Sequence, residues 1–290
     1  MIKRWFVGLV LSVSFLSFQC ALPTESTVQE NRVDIMPSWS NDGTTIAFTG
    51  FYNDVQGIYL IDSAGTNLRL LVAGTVEGCT WSPDSKWIAF GGADGIYEIK
   101  VTGDSAENLT SSLLDYHPAW SQDGKTIAFL RLSVGVMEYD VETGAISEVF
   151  GAGYSPSWHP SGDLVVLGTS STSSSQSATF AFYAVVDSLS WRTLYTFSSS
   201  STFTYCSVSP RGSTEEEIAY CMKPSNDYTQ VWKVTLNTGL STQLTTDGGD
   251  FAAWSPDGSK IVYTRTQNGD GGLWIMNSDG SGKHRLTPPS

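Results

Sequence analysis

One unit recurs six times along this chain, and that recurrence limits the possible folds more than any other feature. Aligned on their Trp-Ser dipeptides, the copies read P-S-W-S-N-D-G from Pro37, C-T-W-S-P-D-S from Cys79, P-A-W-S-Q-D-G from Pro118, P-S-W-H-P-S-G from Pro156, C-S-V-S-P-R-G from Cys206 and A-A-W-S-P-D-G from Ala252. Their third positions are Trp39, Trp81, Trp120, Trp158, Val208 and Trp254, spaced by 38 to 50 residues. Each copy is followed by an apolar triplet: Ile46-Ala47-Phe48, Ile88-Ala89-Phe90, Ile127-Ala128-Phe129, Val165-Val166-Leu167, Ile218-Ala219-Tyr220 and Ile261-Val262-Tyr263. A run centred on Tyr59, Tyr97, Met137, Tyr183, Trp232 or Trp274 comes next. The unit closes on Arg69-Leu70-Leu71, Asn108-Leu109-Thr110, Glu148-Val149-Phe150, Thr193-Leu194-Tyr195, Gln243-Leu244-Thr245 or Arg285-Leu286-Thr287. Each unit therefore reads as four short strands joined by turns.

A lone four-stranded sheet of this length leaves both faces wet, and stacking such sheets around an axis covers them while leaving only short edges. The expected fold is thus all-β, a six-bladed β-propeller of four-stranded antiparallel blades. In the S-P-D-G turn, Pro presets φ, Asp bonds the backbone ahead and Gly accepts positive φ, which suits a tight link between the first two strands. The recurrent Trp is expected as a wedge between blades.

The combined pattern P-x-W-S-P-D-G-x-x-I-A-F, then I-Y-x-x-D, then R-L-T, resembles the WD40-like repeat of the TolB-like six-bladed propeller family over residues 34–290. That resemblance implies a periplasmic, non-enzymatic protein that binds another protein within the bacterial Tol–Pal envelope system. The same repeat occurs in propellers attached to prolyl-oligopeptidase-type and Tricorn peptidases and in oligogalacturonate lyases, so the fold alone does not assign the function. TolB-like proteins carry a further N-terminal domain, and residues 21–33 are too few to supply one.

Residues 1–20 read as an export signal, with Lys3 and Arg4 ahead of an apolar stretch from Trp5 to Phe18. Cys20 resembles the lipid-modified cysteine of bacterial lipoproteins, although Ser17, Phe18 and Gln19 depart from the usual motif before it. Lipidation at Cys20, soluble secretion and an uncleaved anchor are the three outcomes, the first being favoured. Residues 21–33 would then form a tether and residues 34–290 the propeller. The last repeat ends at Thr287, which disfavours closure of the ring by a C-terminal overhang and makes Val28 to Val33 a candidate extra strand.

Across 290 residues, 16 basic side chains stand against 29 acidic ones, a net charge of −13. With so few cations, no stripe can displace counterions from phosphates, which argues against nucleic acid and against an anionic membrane surface. Membrane contact is expected only through a lipid on Cys20. The expected state is a monomer with no cofactor and no metal.

With strands running outward from the axis, the loops from fourth to first and from second to third strands share one face, and their lengths vary. Variable loops on a rigid scaffold are common binding elements. That face is expected to present Phe51, Tyr52, Tyr116, His117, Tyr154, Phe203, Tyr205, Tyr228 and Phe251. Asp34, Glu77, Asp115 and Asp250 precede the innermost strands and are expected to form an acidic funnel attracting a cation or a basic peptide, or else to cap turns. Cys79, Cys206 and Cys221 are expected as buried thiols, with a disulfide between the last two as the alternative.

Catalytic motifs are weak. There is no G-x-S-x-G elbow, and His117, His159 and His284 do not fall in a zinc spacing. Asp279 to His284 has the outline of a phosphate loop but lacks its first Gly and its Ser/Thr. A protein-binding scaffold is therefore the leading expectation, ahead of a carbohydrate or small-ligand binder and a propeller lyase.

Overall fold

The computed structural model describes residues 34–151, 153–170, 178–187, 190–199, 202–210, 216–224, 227–265 and 271–288. The export signal, Cys20, the tether and Val28 to Val33 lie outside these residues. The described residues form six four-stranded antiparallel sheets, each built from four consecutive strands. The six-bladed propeller expected from the repeats is the observed architecture.

Five blades share one register, the last residue of the apolar triplet opposite the expected centre of the third strand, and in blade 4 Leu167 instead faces Phe182, one place from the expected Tyr183. Phe48 pairs with Tyr59, Phe90 with Tyr97, Phe129 with Met137, Val166 with Tyr183, Tyr220 with Trp232 and Tyr263 with Trp274. Because strand side chains alternate, neighbouring residues of one triplet enter different cores. Phe48 joins a cluster with Val262 and Ile275 of blade 6, whereas Ala47 joins one with Cys79, Trp81 and Phe90 of blade 2. Six such clusters run around the ring, one at each blade junction. Blades 1 and 6 therefore close the ring by side-chain packing, with Trp39 and Ile46 against Ala253, Leu273 and Leu286.

The repeated tryptophans sit at these junctions. The Trp81 indole N–H donates to the Ser38 carbonyl at 3.0 Å, that of Trp158 to Ala119 at 2.9 Å and that of Trp254 to Ser207 at 3.2 Å. Each acceptor is the residue just before the repeat position of the preceding blade, so the wedge also ties adjacent innermost strands together.

In the turn after Trp39, the Ser40 hydroxyl donates to Asp42 at 2.7 Å and accepts the Thr45 N–H at 2.9 Å. Ser82 with Asp84, Ser121 with Asp123 and Ser255 with Asp257 repeat this arrangement. The outermost strands are shorter than the Leu-Thr pattern suggests in blades 2, 5 and 6, ending at Asn108, Gln243 and Arg285. The physical reason is the threonine that follows. Thr110, Thr245 and Thr287 each use a buried hydroxyl to accept a backbone N–H of the third strand, from Ile96, Val231 and Leu273, in place of a further ladder bond.

Cys206 and Cys221 do not bridge. They are offset by one place across their strands, Cys206 opposite Tyr220 and Cys221 opposite Tyr205, so their side chains leave the sheet on opposite faces. Cys206 enters the core between blades 4 and 5 and Cys221 the core between blades 5 and 6, and both are free thiols.

Candidate functional site

The innermost strands, Ile35–Trp39, Glu77–Trp81, Asp115–Trp120, Gly153–Trp158, Thr202–Val208 and Asp250–Trp254, surround the axis. Each breaks register with its second strand just before the repeat position. Such an irregularity bends a strand and re-aims its side chains. Its centre lies three residues before the repeat Trp, where Met36, Gly78, His117, Ser155 and Phe251 all have positive φ, between 50° and 69°. Left-handed backbone is uncommon for residues other than Gly. Here it turns one residue per blade toward the axis, and at the sixth place, in blade 5, stands Tyr205.

This ring forms the throat of the channel. Met36, Gly78, Cys79, His117, Pro118, Ser155, Pro156 and Tyr205 line a cavity of about 20 Å³, room for a single water. Phe251 meets Tyr205 edge to face with ring centres 5.8 Å apart. Burial raises the Tyr205 hydroxyl above its ordinary pKa, so it stays protonated.

The acidic residues divide. Asp115 is buried and held by Arg131 through two bonds of 2.7 and 2.8 Å, which neutralise it. Asp250 accepts from the Thr204 hydroxyl at 2.8 Å and the Phe251 N–H at 2.9 Å, and burial raises its carboxyl above the ordinary pKa. Asp34 is also buried, and its charge adds to the burial that raises the pKa of the Tyr59 hydroxyl. Only Glu77 keeps its carboxylate half exposed, 3.5 Å from His117 Nε2, and the imidazole holds it below the usual carboxylate range. The carboxylates therefore do not line an open funnel. Asp115 and Asp250 anchor strands, and their hydrogen bonds are of the turn-capping kind.

The aromatic residues divide as well. Between the second and third strands of blade 1 the chain makes a tight strand pair joined at Asn53-Asp54, both with positive φ as a two-residue hairpin turn requires. Tyr52 therefore belongs to a strand and packs on Tyr59, ring centres 4.7 Å apart. Phe203 is a core residue stacked near Phe197. Tyr154 is partly buried with its hydroxyl 3.4 Å from the Phe203 carbonyl. Tyr116 donates to the Leu113 carbonyl at 2.7 Å, and Tyr228 is exposed on the loop before the third strand of blade 5.

Sequence reasoning missed Met36, Gly78 and Ser155, whose signal is their fixed distance from the repeat Trp. It also missed the apolar residues beside Tyr116. Leu113, Leu114 and Val134 are exposed on the same variable face, and the Leu132 N–H bonds the Leu114 carbonyl at 2.9 Å, which fastens the two loops together.

Comparison with known proteins agrees with this geometry. The family described as "TolB beta propeller domain" matches residues 22–187. The chain belongs to the TolB β-propeller family. It is 28% identical over 164 residues to an uncharacterized protein of Agrobacterium fabrum, covering 48% of this chain and 56% of that one. It is 33% identical over 97 residues to the Tol-Pal system protein TolB of Gluconobacter oxydans, covering 29% of this chain and 21% of the relative. The chain thus spans little more than half of the first relative and about a fifth of the second. The fold is similar to the crystal structure of TolB from Acinetobacter baumannii, with TM-score 0.70 and 23% identity over 83% of this chain and 62% of that one.

Proposed function

We propose that this TolB-family protein is a non-enzymatic scaffold of the bacterial cell envelope, exported by residues 1–20, held at a membrane through Cys20 and binding another protein across its variable face. The observation that carries the reading is where the exposed apolar side chains fall. Leu113 is 66% exposed, Tyr228 63% and Leu114 45%, and with Val134 in a turn and Val55 at a hairpin end they account for five of the ten exposed large apolar residues among the described ones, on the face of the variable connections. Single exposed apolar residues are ordinary. Several on one face, together with the exposed Asp54, Glu77 and Asp227, are the kind of residues that a protein partner covers. Membership in the TolB family and the Tol-Pal name of the Gluconobacter relative support the same reading. The throat is far smaller than the roughly 300 Å³ that small-ligand pockets occupy, so a sugar is not expected inside it.

The test is capture of envelope proteins on the intact chain, beside two variants, Leu113→Ser with Leu114→Ser, and Tyr228→Ala. Truncating central contacts of an interface costs about 2 kcal/mol or more, so each variant is expected to weaken capture at least about tenfold at unchanged Tm. Recovery of no protein by the parent chain, or equal recovery by both variants, overturns the reading.

A further inference from the structure

The throat brings together three soft donor side chains from three blades. Met36 and His117 hold the same place on the first strands of blades 1 and 3, both in left-handed backbone with φ of 54° and 53°. Blade 2, between them, has Gly78 at that place, with φ of 69°. The missing side chain leaves a gap. A Cβ on Gly78 would come within 3.4 Å of both the Met36 sulfur and the His117 Cδ2 atom. Cys79, the next residue, lines the same cavity, its sulfur 3.9 Å from the Met36 carbonyl oxygen. His117 Nε2 is sealed from solvent without a hydrogen-bond partner, and Glu77 Oε1 lies 3.5 Å away as a counter-charge. The space of about 20 Å³ admits one water or one ion.

We propose that this throat binds one soft monovalent transition-metal cation, Cu(I), through the Met36 thioether, the Cys79 thiolate and the His117 imidazole. Thioether and thiolate donors favour Cu(I) over harder ions. Structural zinc takes four nitrogen, oxygen or thiolate donors, and calcium and magnesium take oxygen, so this donor set suits neither. Among the described residues no group of three or more His, Cys, Asp and Glu side chains is placed to hold a metal. Burial pushes the Cys79 thiol up to about 12, so the free protein holds it protonated. On binding, the S–H bond breaks, the proton leaves to solvent and the S–Cu bond forms; copper enters as Cu(I), and no electron is transferred. Its positive charge offsets the thiolate, and the His117 nitrogen exchanges its long contact with Glu77 for a bond to the metal. The site does not depend on the protein-binding reading, since it lies within the channel.

The experiment is anaerobic titration of the intact chain with Cu(I) buffered by bicinchoninate, repeated with Ag(I) as a redox-inert probe. One equivalent is expected to bind in competition, with a thiolate-to-metal absorption in the near ultraviolet and a raised Tm. Met36→Leu, Cys79→Ala and His117→Asn are each expected to lower the affinity by roughly tenfold or more. Cys206→Ala, which removes a thiol outside the throat, should leave it unchanged. Asn tolerates left-handed backbone, so His117→Asn with Met36→Leu decides the matter even where Cys79→Ala fails to fold. Absence of competitive binding by the parent chain, or affinity unaffected by Met36→Leu and His117→Asn, overturns the proposal.

Discussion

The five repeat tryptophans provide an experiment with its own control. Replacing each by Phe removes the same atoms from equivalent places, but the indole N–H is bonded in only three of them. Trp81, Trp158 and Trp254 donate across a blade junction at 3.0, 2.9 and 3.2 Å. The Nε1 atoms of Trp39 and Trp120 are buried with no partner. In the first group, Phe removes the cross-blade hydrogen bond, a loss of about 1 kcal/mol beyond the lost volume. In the second group, Phe removes an unsatisfied buried donor, and that relief offsets about 1 kcal/mol of cavity cost. The expected difference is about 2 kcal/mol between Trp81→Phe and Trp39→Phe, a pair matched in burial, and between Trp158→Phe and Trp120→Phe, a half-buried pair. Urea unfolding followed by circular dichroism measures it. With a slope of about 3 kcal/mol/M, the bonded variants should unfold about 0.7 M earlier than their matched partners. Equal midpoints across the five variants would show that the wedge acts by volume alone and that the cross-blade hydrogen bonds contribute nothing.

Thr245→Val keeps the shape of a fully buried side chain but strips the Val231 N–H of its acceptor at 2.9 Å, so a loss of about 1–3 kcal/mol is expected, together with faster hydrogen exchange at Val231. Asp115→Asn and Asp250→Asn should differ in sign. The first breaks the two-bond pair with Arg131, whose side chain is 23% exposed, and should cost about 2–3 kcal/mol in thermal or urea unfolding at pH 7. The second keeps an oxygen for Thr204 and Phe251 while removing a charge that burial disfavours. A carboxyl whose folded pKa is raised gives its stability below the unfolded pKa and loses it as pH rises through the folded value, so Asp250→Asn should match or exceed the parent Tm at pH 7 and gain nothing near pH 3. Asp42, Asp84 and Asp123 have the opposite sign, because serine hydroxyls and backbone N–H groups lower their pKa from 3.8. Their stability is present above that value and lost as pH falls through the folded values, so Ser40→Ala, Ser82→Ala and Ser121→Ala together should narrow the gap in Tm between pH 6 and pH 3.

Much of the fold was legible because its determinants are local and repeated. The turn after each Trp depends on Ser and Asp two residues apart, and the pairing of each apolar triplet with the aromatic of the third strand follows from period-two alternation. Blade 4 was read less well. Its third and fourth strands, Ala178–Asp187 and Ser190–Ser199, are each 10 residues long, well beyond the Thr193-Leu194-Tyr195 triplet expected for the last of them. Serine runs there read as loop by composition, whereas Phe182, Phe197 and Phe203 supply the packing that keeps the chain extended.

The site was harder to read, for a reason visible at one position of the repeat. Three residues before each Trp the side chains are Met36, Gly78, His117, Ser155, Tyr205 and Phe251, which share neither polarity nor size. What five of them share is a backbone conformation, imposed by the bulge that ends each innermost ladder, and composition does not report it. The acidic residues beside these positions did look like a pattern, because Asp34, Asp115 and Asp250 recur near the start of an innermost strand. Yet Asp34 and Asp115 are buried and Asp250 is half-buried, and a carboxylate drawn out of water must find partners: Arg131 for Asp115, and Thr204 with the Phe251 N–H for Asp250. Repetition in this family therefore marks what holds the ring together. The variable positions held by that ring, Gly78 between Met36 and His117 on the axis and Leu113 with Leu114 at the rim, are the places where one propeller can differ in function from another.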